Sequence, residues 1–341
     1  MAKQENIISM ASGQGTSRRA AARKARPYAT VAGAILAGLA LLLPLALPWL
    51  KTPVIFAACF GIAALGVSIL IRAGQVSFGH AMFSCAAGYA VAFAARWWTQ
   101  LDSVALLAIG TIFATLFGLV IGLFVVRYRE IFFGMLNLAL SMVLFAVLGK
   151  FFHLTGGTDG MRLVRSTFLG MNLERDGFET ALLLTAVASA VVIGLLVQRY
   201  LNSVAGQALA AIKTNETRLE YVGLSTYRVL LTGYLLSAAL CGFSGAMFVV
   251  AQGLVTPEMG YWVRSGEFLF IAILGGVAHP VGAFLGATLF EFVKLFAAAY
   301  LTGAWQMVLG IVLLAVVFLA PTGISGVIVR LQSGNKEGAK R

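Results

Sequence analysis

Charge is scarce in this sequence. Asp, Glu, Lys and Arg together make up 11% of its 341 residues, and the acidic share is 13 residues. A soluble domain carries about a quarter charged residues, so a water-facing globule of this length is excluded. Histidine occurs three times, at His80, His153 and His279, and no H-E-x-x-H pair is formed, which removes the helix-borne zinc hydrolases. Cys59, Cys85 and Cys241 each lie inside an apolar run, so they offer neither a disulfide framework nor metal-ligand spacing. There they act as small hydrophobes. No G-x4-G-K-[ST] phosphate loop occurs, the Gly275–Gly276 pair lacks a G-x-G-x-x-G turn, and no G-x-S-x-G nucleophile elbow is present. Long polar/apolar alternation is missing as well, which disfavours a membrane β-barrel.

What remains is mostly hydrocarbon: 60% of residues are hydrophobic and the mean hydropathy is +0.91. Apolar runs reach about 20 residues, enough for a helix to cross a bilayer core. The fold class is an all-α integral membrane protein, a polytopic helical bundle of about ten transmembrane helices. The spans read as 28–50, 53–71, a small-residue stretch 73–90 leading to Arg96, then 103–126, 131–152, 179–198, 231–251, a short 266–278, 281–299 and 304–320. One transmembrane domain, 28–322, lies between basic tails 1–27 and 323–341, and a charged loop at 203–228 interrupts it.

The formal charge of +12 reflects where cations sit, and it is no sign of nucleic-acid binding. Arg18, Arg19, Arg23, Lys24 and Arg26 precede the first span, and Arg72, Arg127, Arg129, Arg199, Lys213, Arg218 and Arg228 fall on the same side as the C-terminal cations. The opposite side mixes Lys51, Arg96, Arg175 and Arg264 with Asp102, Asp176 and Glu258. Cations gather on the cytoplasmic side of membrane proteins, so both termini and the 203–228 loop are expected in the cytoplasm.

Inside the spans the polar residues are few. Gln75, Ser77 and His80 follow the second span, and Asn137 and Ser141 share one face at i,i+4. Such groups either glue helices together or line a pathway. Gly275, Gly276, Pro280, Gly282 and Gly286 make a breakable segment, which suits close packing or a transport site. Glu267 is expected to snorkel to the interface. Glu291 and Lys294, at i,i+3, are expected to pair.

The loop holds the remaining charge. Residues 206–222 read as one amphipathic helix stopped by Gly223, with Ala210, Lys213 and Thr214 on a common face. It is either a connector or a short helix that fits a groove on a peripheral partner, with small residues Gly206, Ala208, Ala210 and Ala211 permitting close approach.

The string G-x-A-L-x-A-I-K-x-N-E, carried by Gly206, Ala208, Leu209, Ala211, Ile212, Lys213, Asn215 and Glu216 and followed by Gly223-Leu224, resembles the ATPase-docking loop of ABC importer permeases in the branched-chain amino acid family. Three more segments resemble that family in order: GQVSFGHAMFSCAAGY at 74–89, LTGGTDGM at 154–161, closer to the LivM branch, and ILGGVAHPVGAFLGA at 273–287. In the last, Ala278 and His279 stand where the family has Gly and Thr. Together they cover most of residues 55–325.

The resemblance implies a non-catalytic permease subunit of an ATP-driven importer in the bacterial inner membrane. Its implied partners are two cytoplasmic ABC ATPases, a second homologous permease or a self-dimer, and an extracytoplasmic substrate-binding protein. The chain itself would bind no cofactor, and ATP would be used by the partner subunits. ATPase coupling falls to Gly206, Ala208, Ala211, Lys213, Asn215, Glu216 and Gly223. The candidate pathway residues are Gln75, Ser77, His80, Asn137, Ser141, Gly275 and Gly276. Branched-chain amino acids are the expected cargo; urea, short amides or aromatic acids are carried by near relatives. From hydropathy alone, a self-sufficient secondary transporter or channel is the other class.

Overall fold

The computed structural model describes residues 33–98, 101–163, 166–168, 170, 171, 173–277, 279–300, 305–319, 323 and 324. The tails at 1–27 and 325–341 and the departure at Ala278 lie outside the described residues. The helices are α1 (Gly33–Ala46), α2 (Lys51–Arg72), α3 (Ala81–Trp97), α4 (Ser103–Val125), α5 (Glu130–Lys150), α6 (Phe152–Thr155), α7 (Arg175–Asn202), α8 (Val204–Ile212), α9 (Glu216–Tyr221), α10 (Thr226–Gln252), α11 (Trp262–Gly275), α12 (Pro280–Tyr300) and α13 (Trp305–Leu319). Two short strands, β1 (Met161–Arg162) and β2 (Leu254–Val255), pair antiparallel.

Six of these helices, α2 with the turn before it, α4, α5, α7, α10 and α12, are long and apolar enough to cross a membrane. The chain is therefore a multi-pass all-α membrane protein. The other helices are shorter, and the expected count of ten is not reached by the long ones alone. The 206–222 stretch is also two helices and not one. Asn215 takes an extended backbone (φ −167) and its Oδ1 accepts from the Arg218 N–H at 3.1 Å, so it caps α9 and separates it from α8.

Burial sorts the long helices into centre and rim. The apolar windows of α2 and α10 are 83% and 67% buried, whereas those of α5 and α7 are 17% and 22% buried and so form the outer face. Lipid tails give no hydrophobic drive between helices, so association rests on close packing through small residues. The α2–α10 contact is antiparallel: Ser244 Oγ donates to the Cys59 carbonyl at 2.7 Å, Cys241 Sγ reaches the Ala63 carbonyl at 3.7 Å, and Gly66 faces the Ser237 carbonyl. Between α4 and α10 a row of small residues meets at every fourth position: Gly110 on Ala246, Ala114 on Gly242, Gly118 on Ala238, and Gly122 on the ring of Tyr234.

α3 and α11 are short because their first turns meet within the bundle. After α2, Gly74 (φ +77) turns the chain, and residues 75–80 run back inward until Gly79 presses on the backbone of Asn137. Asn137 lies about 10 Å into α5 at 1.5 Å per residue. After α10, Gly253 (φ +72) turns the chain at the other end, β2 follows, and residues 257–260 enter until the Gly260 carbonyl accepts from Ser141 Oγ at 2.7 Å. α3 then starts in the interior, and its Ala81 N–H donates at 2.9 Å to Oγ of Ser265, buried in the first turn of α11. The two halves α2–α5 and α10–α13 repeat one order in opposite directions, with Gly74-Gln75-Val76-Ser77 matched by Gly253-Leu254-Val255-Thr256. A broken helix exposes backbone polar groups, which survive in a membrane only when protein groups satisfy them.

The 154–161 glycines serve this arrangement: a Cβ on Gly160 would strike the Val255 carbonyl of β2. At the same end, Asp102 Oδ1 accepts from Thr167 Oγ1 at 2.5 Å and from the Gly170 N–H at 2.9 Å. The Thr167 hydroxyl first, and the Gly170 amide second, hold this carboxyl below the usual carboxylate range.

Candidate functional site

The element at 203–228 sits at the end of the bundle where α2 finishes. Ser203 caps α8, its Oγ accepting from the Gly206 N–H at 3.4 Å. Gly206 lies directly on the last turn of α7, where a Cβ would meet the Tyr200 carbonyl and come within 2.6 Å of the Leu201 Cα. Ala208, Leu209 and Ile212 complete the buried face, with Leu209 seated in the notch left by Gly233 of α10. Gly206 and Ala208 thus approach their own chain closely, while Val204, Gln207, Ala210, Lys213 and Thr214 face outward. Ala211 is half-buried between these faces.

Two further contacts tie the element to the body. The Lys213 stem covers Gly74, at the turn after α2. Glu216 Oε1 accepts from Arg129 Nε at 2.7 Å, joining α9 to the turn between α4 and α5. Gly223 ends α9 at φ +85 in open space, and the Leu224 N–H returns to the Leu219 carbonyl at 3.2 Å. Thr217, Arg218, Glu220, Tyr221 and Val222 are exposed. The element offers an outward face on a clamped base and no reactive group.

The predicted pathway residues are all buried. Gln75 Oε1 accepts from the Glu130 N–H at 2.8 Å, stabilising a non-glycine residue at φ 51. Ser77 Oγ and His80 Nδ1 are 2.7 Å apart. The His80 ring lies edge-on to Phe83 and Tyr234, and its Nε2 has no hydrogen-bond partner among the described residues. Tyr234 Oη donates to Asn137 Oδ1 at 2.6 Å, and Asn137 Nδ2 donates to the Phe133 carbonyl at 2.8 Å. These residues form one polar seam inward from the 203–228 end, and Ser141 continues it to Gly260. Gly275 and Gly276 do not join it. They pack on the Gly282 backbone where α11 meets α12, and Arg72 donates to the Val277 carbonyl at 2.7 and 3.0 Å beside them.

One expectation is corrected. Glu267 does not snorkel: its side chain is 10% exposed and pairs with Arg264 at 3.0 Å. Lys294 interacts electrostatically with Glu291 and also reaches Glu267 at 3.7 Å, a partner that its spacing from Glu291 does not suggest. Sequence reading also missed Tyr234, which closes the seam, and Arg129, which anchors Glu216. Each lies about a hundred residues from its partner, and no local period links them.

Residues 50–317 match the family model described as branched-chain amino acid transport system / permease component. The chain is similar to the high-affinity branched-chain amino acid transport system permease protein LivM of Escherichia coli (strain K12), 26% identical over 255 residues covering 67% of this chain and 59% of that protein. It is also similar to the probable branched-chain amino acid transport permease protein LivH of Methanocaldococcus jannaschii, 27% identical over 202 residues covering 56% of this chain and 62% of that protein. The matched part thus spans about three-fifths of the length of these curated relatives. No solved structure matches.

Proposed function

Because the chain belongs to the branched-chain amino acid transport permease family, we propose that it is the membrane-spanning subunit of an ATP-driven importer of leucine, isoleucine and valine. It pairs with a second permease or another copy of itself, with two ATPases on the cytoplasmic face and with an external binding protein that delivers the solute. In this reading it crosses the bacterial inner membrane about ten times with both termini in the cytoplasm. It catalyses no reaction and holds no cofactor; the ATPases bind and hydrolyse ATP.

The observation that carries the reading is the clamped two-helix element. ATP-driven closure of the ATPases pushes on the outward face of α8 and α9. Gly206 passes that push to α7, Leu209 to α10, and Glu216 through Arg129 to the α4–α5 turn. Ala208 and Ala211 keep α8 close to the body, Lys213 bears on the Gly74 turn, and Asn215 and Gly223 fix the ends of α9. The bundle then rocks about the seam of Gln75, Ser77, His80, Asn137 and Ser141 and the joint at Gly275 and Gly276, and the solute passes.

The test uses the chain co-expressed with its partner subunits and a single cysteine at exposed Thr217. Thr217→Cys is expected to cross-link to the ATPase, and the complex in proteoliposomes is expected to take up radiolabelled leucine with ATP. A cross-link formed by Asp176→Cys at the opposite end, with none from Thr217→Cys, would sink the orientation. Uptake of urea or benzoate without leucine would sink the cargo.

A further inference from the structure

A second group of polar side chains, apart from the seam, joins two buried carboxylates, Glu267 and Glu291, to two partly exposed cations, Arg264 and Lys294. Arg264 and Glu267 come from α11, Glu291 and Lys294 from α12. Arg264 Nη1 donates to Glu267 Oε2 at 3.0 Å, and Lys294 Nζ stands 3.7 Å from Glu267 Oε1. The guanidinium lies 5.1 Å from the ring centre of Phe60 and 5.3 Å from that of Phe248, while the ammonium lies 5.5 Å from Phe60 and 5.8 Å from Phe290. Glu291 is 7% exposed, and its Oε1 has no hydrogen-bond partner among the described residues. It is in electrostatic reach of Lys294, Glu267 and Arg264.

Depth makes this group unusual. Phe60 lies about 14 Å along α2 and Glu291 about 16 Å along α12, at 1.5 Å per residue. Both positions fall well within a hydrocarbon layer about 30 Å thick. Ionisable side chains at that depth are costly and mark solute or ion routes. A group that only held α11 to α12 would satisfy its buried oxygens, and Glu291 Oε1 is left without a donor among the described residues. Beside Arg264 a cavity of about 10 Å³ is walled by Phe60, Phe248, Met259 and Phe268, with the Ser84 and Ser244 hydroxyls among them. That is room for about one water molecule, too little for a solute in this conformation.

We propose that Arg264, Glu267, Glu291 and Lys294 form a transit site for a zwitterionic α-amino acid. The inference rests on the importer reading and assigns the residues that its solute meets in the bundle. When the bundle opens, Arg264 and Lys294 exchange their internal partners for the solute carboxylate, and Glu291 accepts hydrogen bonds from its ammonium. The phenylalanine walls take an apolar side chain. A zwitterion brings no net charge and offers each sign in the group a partner of the opposite sign, so the exchange adds no net charge to the membrane. Urea brings no charges to exchange, and a carboxylate without an ammonium adds one negative charge to the group.

The test compares Glu291→Gln and Lys294→Gln with wild type in the full complex, reconstituted in proteoliposomes with saturating binding protein. Uptake of radiolabelled leucine and ATP hydrolysis are read together. Either variant is expected to lose about tenfold in uptake per ATP, the scale of one charge-assisted hydrogen bond, with basal hydrolysis retained. Wild-type uptake in both variants would overturn the site and leave the importer reading standing. Failure of both variants to assemble would make the group a folding element and equally overturn the site. A wild-type complex that moves urea or benzoate but no zwitterion would overturn both.

Discussion

Gly206→Ala is the sharpest test of how α8 is held. The new Cβ would stand 2.6 Å from the Leu201 Cα and collide with the Tyr200 carbonyl. Both obstacles are helix backbone, so no side chain can rotate away. Reaching an ordinary carbon contact of about 3.5 Å requires α8 to move by roughly 1 Å. Overpacking of this kind costs about 1–3 kcal/mol. The displacement also draws Leu209 out of the Gly233 notch and loosens the Arg129–Glu216 pair. The expected result is a complex that still assembles and hydrolyses ATP at its basal rate but loses stimulation by solute-loaded binding protein. Stimulated hydrolysis and melting temperature, measured on one preparation, check this. A variant with wild-type stimulation and melting would show that α8 is not seated on α7, and the transmission argument would fail with it.

Other positions give smaller, separable effects. Gly223→Ala meets no neighbouring atom but must hold φ +85, so a backbone cost of about 1–2 kcal/mol is expected; a melting temperature unchanged from wild type contradicts that φ. Tyr234→Phe keeps the ring against His80, Phe83 and Phe133 but strips Asn137 Oδ1 of its donor. A loss of about 1 kcal/mol is expected, read as a lower melting temperature that Tyr234→Phe with Asn137→Leu partly restores. Arg129→Glu should reduce stimulated hydrolysis while costing at most about 1 kcal/mol of stability, since the pair is partly exposed. Adding Glu216→Arg should recover it, and no recovery would mean that the pair transmits nothing. Asp102 has a depressed pKa, so its contribution is complete above the ordinary carboxylate range and fades as pH falls through its folded value. The melting gap between wild type and Asp102→Asn should therefore be steady near neutrality and close below about pH 4; a gap that persists in acid contradicts the assignment.

The long helices were legible because hydropathy and length suffice for them: Lys51–Arg72, Ser103–Val125 and Thr226–Gln252 fall within a few residues of the apolar runs. The breaks were not. Asn215 carries a cap signal, yet the amphipathic period runs on through it, so one helix was expected where two stand. The shortness of 266–278 was visible, but its cause was not, because only packing reveals that the first turn of α11 meets the buried start of α3 at Ala81. Of the candidate site, the residues at 206–223 were visible as a motif while their directions were not. Gly206 reads equally as a surface for a partner and as a seat for α7, and only the closeness of the Tyr200 carbonyl separates the two. Within α11 the Arg264–Glu267 spacing of three residues permits their pair, but the link from Glu267 to Lys294 of α12 has no local period to announce it.

The α4–α10 row has a further consequence. Gly110, Ala114, Gly118 and Gly122 repeat at the same interval as Ala246, Gly242 and Ala238, so the small residues resemble a zip with nearly identical teeth. Such a zip closes tightly but says little about where it should stop, since a shift of one turn would again bring small residue to small residue. What sets the stop is the one large tooth, Tyr234, lodged over Gly122 and bonded to Asn137. The register of the two helices and the integrity of the polar seam are therefore a single variable: a bundle that slips by a turn must break the seam, and a bundle that keeps the seam can only pivot.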